Sequence, residues 1–112
     1  MEVYLYAPRE LEGNMGPNVC QVPPYSECNP DYGSSVGRGS STFPRGRWIT
    51  VAQRIKLNTS GVANGEIELF VNGRSVIHFG GITLRRNDQG RVRNLMMQTF
   101  FGGQSDCLSF LP

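Results

Sequence analysis

The sequence predicts an all-β fold, an antiparallel β-sandwich or jelly roll, on three observations. Fourteen glycines and seven prolines in 112 residues punctuate the chain too often for long helices. Apolar residues recur with period two in short runs, and no stretch carries the 3.6-residue apolar period of a helix. The pair Asn72-Gly73 lies between two such runs, and a tight type I′ hairpin turn needs two residues that tolerate positive φ. With 38% hydrophobic residues, the chain can bury one modest core, so residues 1–112 are read as one small domain or a piece of a larger one.

The first expected strand is residues 2–6. Successive side chains of a strand point to opposite faces, so Tyr4 and Tyr6 share one face while Val3 and Leu5 share the other. Two neighbouring phenols can stack on a sugar and bond to it, or can give and take a proton; a cross-strand aromatic pair is the structural alternative. Ala7-Pro8 ends the run, and residues 9–32, rich in Pro, Gly, Asn and Glu, read as one long loop. Residues 33–40 are not a phosphate-cradling loop, because no Gly-Lys-Ser/Thr and no helix follow. They read as a strand of small residues that places Arg38, Ser40 and Thr42 on one face.

Residues 48–57 alternate well, with Ile49, Val51, Ile55 and Leu57 on one face and Gln53 among them. An amide inside an apolar stripe is either buried and bonded or faces a site. Residues 66–71 place Ile67, Leu69 and Val71 inward, and residues 74–79 complete the hairpin after Asn72-Gly73. His78, the one histidine, has no acid at catalytic motif spacing and reads as a sheet residue. Gly80-Gly81 is expected to break the hairpin from residues 82–85. A last strand is expected over 91–101, with Asn94, Met96, Gln98 and Phe100 on one face.

The formal charge is +2, but ten of the eleven cations are arginines, the residue suited to bidentate pairing with carboxylates or phosphates. That balance suggests an anionic ligand and is too small for a nucleic-acid surface. Residues 94–101 are too short and too polar to span a membrane. Cys20 and Cys28 bracket a Pro-rich loop that a disulfide can close, with no CxxC or His pattern for zinc, and Cys107 is left over. The cysteine pair and the glycosylation acceptor pattern Asn58-Thr59-Ser60 fit an oxidising, extracellular setting, although no charged-then-apolar leader precedes Val3.

Taken together, residues 2–8, Asp31-Tyr32-Gly33, residues 35–40, Gly46-Arg47-Trp48, residues 51–58, Val71-Asn72-Gly73 and the run Gln98-Thr99-Phe100-Phe101-Gly102-Gly103 resemble fungal members of polysaccharide lyase family fourteen. The resemblance implies a secreted β-jelly-roll enzyme that cleaves uronate polysaccharides, alginate or glucuronan, by β-elimination, with no metal or organic cofactor. The Tyr-x-Tyr of such enzymes matches Tyr4 and Tyr6, which are therefore the expected catalytic residues. Their Ser-x-Arg and Lys would precede residue 1, and a Trp-containing segment and a further strand would follow residue 103. On the resemblance, the chain reads as truncated at both ends and as weak or inactive alone. Arg38 and Gln98, on polar strand faces, are expected substrate contacts that the resemblance does not assign. The alternatives are a non-catalytic carbohydrate-binding module, which would bind the uronan without cleaving it, and a structural secreted sandwich.

Overall fold

The structure is a computed structural model and describes residues 1–100. Phe101 and Cys107, which figure in the expectations above, lie outside the described residues. Six strands and one helical turn follow in order: β1 (Val3–Leu5), α1 (Pro17–Cys20), β2 (Tyr25–Cys28), β3 (Ser34–Arg38), β4 (Val51–Lys56), β5 (Gly65–Val71) and β6 (Arg74–Ile82). They form two antiparallel three-stranded sheets, ordered β1-β3-β2 and β4-β5-β6. The all-β, sandwich-like expectation holds.

The core explains why the sheets face one another. Val3 pairs with Val36 across β1 and β3, and both are buried together with Ile67, Leu69, Ile77, Phe79 and Ile82 of the second sheet. Val19 of α1 joins the same cluster. The layers approach closely where Gly37 lies over Ile77: a Cβ at residue 37 would stand 2.8 Å from Ile77 Cγ1, and Gly37 has φ +69°. A side chain there meets both steric conflict and a disfavoured backbone. The β5–β6 hairpin turns as expected, with Asn72 at φ 50° and Gly73 at φ 79°, and Val71 pairs with Arg74 across it.

Three buried or half-buried asparagines tie the long connections to β6 and its exit. Asn14 Nδ2 donates to Thr83 O at 2.9 Å, and Thr83 N donates back to Asn14 Oδ1 at 2.8 Å. Asn18 Nδ2 donates to Gly80 O at 2.7 Å. Asn58 is fully buried; its Nδ2 donates to Thr59 O and Arg85 O, and its Oδ1 accepts from the backbone of Leu84 and Arg85. A side-chain amide that saturates several backbone groups substitutes for the ladder that an irregular segment lacks.

Several expectations are corrected. Residues 9–32 are not one loop. Pro17 opens α1, where its fixed φ suits a helix start and its missing N–H leaves no bond unmade, and β2 pairs with β3 through Glu27↔Ser35 and Cys28↔Ser34. The Cys20–Cys28 disulfide is present, with Cα atoms 5.3 Å apart, and pins α1 to β2. Closing so short a loop contributes ~2 to 3 kcal/mol by restricting the unfolded chain. Strand β3 ends at Arg38, because Gly39 turns at φ 89°, so Ser40 and Thr42 do not continue its face. Gly80-Gly81 does not break β6, which runs to Ile82 by absorbing a register shift between Gly65 and Glu66.

The strand expected at residues 48–57 shortens to β4, the edge of its sheet, and every residue of it is exposed. Val51 and Ile55, expected inward, are 46% and 42% exposed. No strand forms over residues 91–100, where Leu95, Met97 and Phe100 are exposed. Alternation with apolar residues on both faces specifies a strand only where a neighbour supplies the ladder hydrogen bonds, and no such neighbour is paired with this segment among the described residues.

Candidate functional site

Tyr4 stands opposite Ser35 across the β1–β3 ladder, on the side away from Val3 and the core. Tyr6 follows on the same side, and the two rings lie 5.2 Å apart at a 58° tilt. Tyr4 is half-exposed and Tyr6 is 78% exposed. Gly33 makes room for the first ring, since a Cβ there would lie 2.5 Å from Tyr4 Cε1. The phenols therefore form an open aromatic edge, as the strand periodicity requires.

Beside them the outer face of the first sheet carries a polar network. Glu2, two residues before Tyr4, accepts a hydrogen bond from Ser35 Oγ and another from Arg38 Nε at 3.1 Å. Partial burial pushes the Glu2 carboxyl up, but the bonds from Ser35 and Arg38 and the charge of Arg38 outweigh it, and the net position is below the ordinary value. Arg38 is held protonated still more firmly by its bond to Glu2. Its guanidinium carbon also lies 5.5 Å from the centroid of the Tyr25 ring, a cation–π distance. Tyr25 donates its hydroxyl to Glu27 Oε2 at 3.1 Å, and that bond raises the phenol above its usual value.

A groove of about 670 Å³ opens where the β1 edge faces the β4 edge. Glu2 and Tyr4 line one bank and Val51, Gln53 and Ile55 the other, with Leu69 below and Asn94 and Leu95 contributed by the chain after β6. Gln53 pairs with Leu69 and so sits on the apolar face of its sheet, yet it is exposed. It is the amide in an apolar stripe that faces a site rather than one satisfied in the core. Among the described residues no Arg or Lys lines this groove. An aromatic pair, an amide and an apolar floor beside an open cleft can grip a sugar ring and exchange a proton with it.

This is the arrangement found on a chain that a protein-family model for polysaccharide lyase 14 matches over residues 1–109. The chain belongs to the polysaccharide lyase 14 family. Searches of curated proteins and of solved structures return no match.

Within this family member, the structure brings Tyr4, Tyr6 and Arg38 onto one sheet face but joins Arg38 to Glu2, so its Nε already has a carboxylate. Gln98 is exposed in residues 91–100 and is not among the side chains lining the groove. Asn58, the expected glycosylation acceptor, is fully buried, its Nδ2 donating to Arg85 O and its Oδ1 accepting from Leu84 N. His78 lies on the opposite, charged face of the second sheet, with Nε2 3.5 Å from Glu66 Oε1. Gln53 is the functional candidate that sequence reasoning left between two readings; its signal was a polar residue breaking an apolar alternation. Among the described residues no group of three or more His, Cys, Asp or Glu side chains is placed to hold a metal ion, and no helix is long and apolar enough to cross a membrane.

Proposed function

We propose that the chain binds an anionic uronate polysaccharide, alginate or glucuronan, across the Tyr4–Tyr6 edge and cleaves it by β-elimination. The observation that carries this reading is Tyr4 on the bank of a groove whose far bank presents the amide of Gln53, with the Tyr6 ring 5.2 Å from that of Tyr4. In the elimination a base removes the C5 proton, the electron pair forms the C4–C5 double bond, the C4–O4 bond breaks, and the departing O4 takes a proton. A phenol suits either proton transfer. Tyr4, nearer the groove, is assigned the transfer, and Tyr6, more exposed, the positioning of the neighbouring sugar.

Negative charge that develops on the uronate must be met by donors already in place. The Gln53 amide, on the bank of the groove, is one candidate; Arg38, bonded through Nε to Glu2 on the opposite bank, is the other, although it does not itself line the groove. Because no described cation lines the groove, and one preorganised donor is worth roughly a hundredfold in rate, turnover by these 112 residues alone is expected to be slow. The same observation favours the second reading, a module that binds uronan without cleaving it. Incubation of the purified chain with alginate and with glucuronan, followed by ultraviolet absorbance of unsaturated uronate ends, separates the two. Binding with product supports the lyase, binding without product supports the module, and no binding to either polymer overturns both.

A further inference from the structure

Beyond Val51 the same sheet face leads to two further openings, and we infer that they form a second subsite for an acidic sugar, built around Arg74 and Arg47. Val71 pairs with Val51 on one side and with Arg74 on the other. Directly opposed residues share a sheet face, so Arg74 lies on the face that carries Gln53. An opening of about 580 Å³ is lined there by Ser40, Ser41, Asn72 and Arg74. It shares Ser41, Val71 and Asn72 with a smaller one of about 280 Å³, lined also by Arg47 and Ile49.

Both banks lead from the tyrosines to this place. Along β1 the path runs from Tyr4 through Glu2 to Met1, whose nitrogen donates to Ser41 O at 2.8 Å. Along β4 and the residues that lead into it, it runs from Gln53 through Val51 to Ile49, a span of ~13 Å at the rise of an extended chain. A sugar polymer seated at Tyr4 and Gln53 and laid along this sheet face reaches the arginines with a later residue.

The chemistry of the opening selects a carboxylate. Among the described residues Arg38, Arg54, Arg85 and Arg86 each have an acidic side chain at ion-pair distance; of the six arginines that do not, only Arg47 and Arg74 line these openings. Asn72 spends its Oδ1 on the backbone of Thr50 and leaves its Nδ2 as a donor. Ser40 Oγ is shielded from water and has no hydrogen-bond partner, alone in that state among the described side chains. Guanidinium pairs a carboxylate through two parallel bonds, and the hydroxyl and amide supply further donors to a ring oxygen. A neutral sugar would leave both cations without a partner.

This inference rests on the reading of the groove as a polysaccharide site, and calorimetric titration of the full chain tests the two separately. The probes are a uronate disaccharide, a uronate hexasaccharide and a neutral hexasaccharide, at low salt. Wild type is expected to bind the uronate hexasaccharide more tightly than the other two. Arg74→Gln is expected to weaken that binding about tenfold, as loss of a charge-assisted pair should, with the disaccharide unaffected and Arg74→Lys recovering part of the loss. Arg47→Gln should act in the same direction. If the hexasaccharide binds wild type and Arg74→Gln equally, or if both lengths lose equally, the second subsite is overturned while the tyrosine groove stands. Failure of wild type to bind either uronate overturns the groove reading and this inference together. Circular dichroism confirms that each variant is folded, which the exposure of Arg74 leads one to expect.

Discussion

The two faces of the β4–β5–β6 sheet treat charge in opposite ways. On the solvent face Lys56, Arg54 and His78 converge on Glu66, at 3.4, 3.7 and 3.5 Å, and Glu68 stands 3.9 Å from the other nitrogen of His78. On the groove face the same sheet carries Val51, Gln53, Ile55, Leu69 and Val71, with Arg74 at the end and, among the described residues, no acid at ion-pair distance from it. Where cations and carboxylates alternate across neighbouring strands they satisfy one another and are closed to a ligand. Where a cation is placed beside apolar side chains and amides, its partner has to come from outside.

The largest effect expected from this contrast is on stability. Ile77→Ala, on the groove face where the sheets meet, should lower the unfolding free energy by about 2 to 5 kcal/mol, the usual cost of emptying a core position, read as a shift in the urea midpoint. A loss under about 1 kcal/mol would show that the two sheets do not share the core described above. Next comes chemistry: Tyr4→Phe should keep the fold and lower turnover about a hundredfold if a proton passes through the phenol, while Tyr6→Phe should mainly raise KM. Equal, small effects of both on rate would assign the pair to sugar stacking alone.

Gln53→Ala should weaken oligouronate binding by less than about tenfold, the range of a neutral hydrogen bond, without moving the urea midpoint, since the side chain is exposed. A marked loss of stability would instead make Gln53 a structural amide. The smallest effect belongs to the charged face. The hydrogen bond and charge of Lys56, with Arg54 and His78 behind them, hold the Glu66 carboxyl below its ordinary value. Its folded position is thus lower than its unfolded one, so its contribution is complete above the ordinary carboxylate range and is lost as pH falls through the folded value. Glu66→Gln should flatten the acid limb of stability against pH and move the neutral midpoint little, as exposed ion pairs do. A large neutral shift would mean that the solvent face stabilises the sheet by charge.

Local features were legible in the sequence. The β5–β6 hairpin follows from Asn72-Gly73, and the shared face of Tyr4 and Tyr6 from strand period, because each is decided within a few residues. Partnerships between distant segments were not. Tyr25–Cys28 reads as loop between two cysteines and becomes a strand only because β3 offers it a ladder. Residues 91–100 show the converse, a strand pattern that meets no ladder among the described residues. The Arg38 partner, Glu2, is 36 residues away in sequence, and nothing local signals that the guanidinium is already engaged. Gln53 was visible as an anomaly, but only the opposing edge of β1 shows which way it faces.

Asn58 sets two processes against each other in time. Its sequence context offers the amide to a glycan-transferring enzyme, while folding closes the same amide around Leu84 and Arg85. Were the chain made in a compartment with that enzyme, the fraction modified would act as a clock for how fast β4 and the exit of β6 come together. Slower-folding variants such as Ile77→Ala should carry more sugar at residue 58, and each sugar attached would bar that molecule from the fold described here.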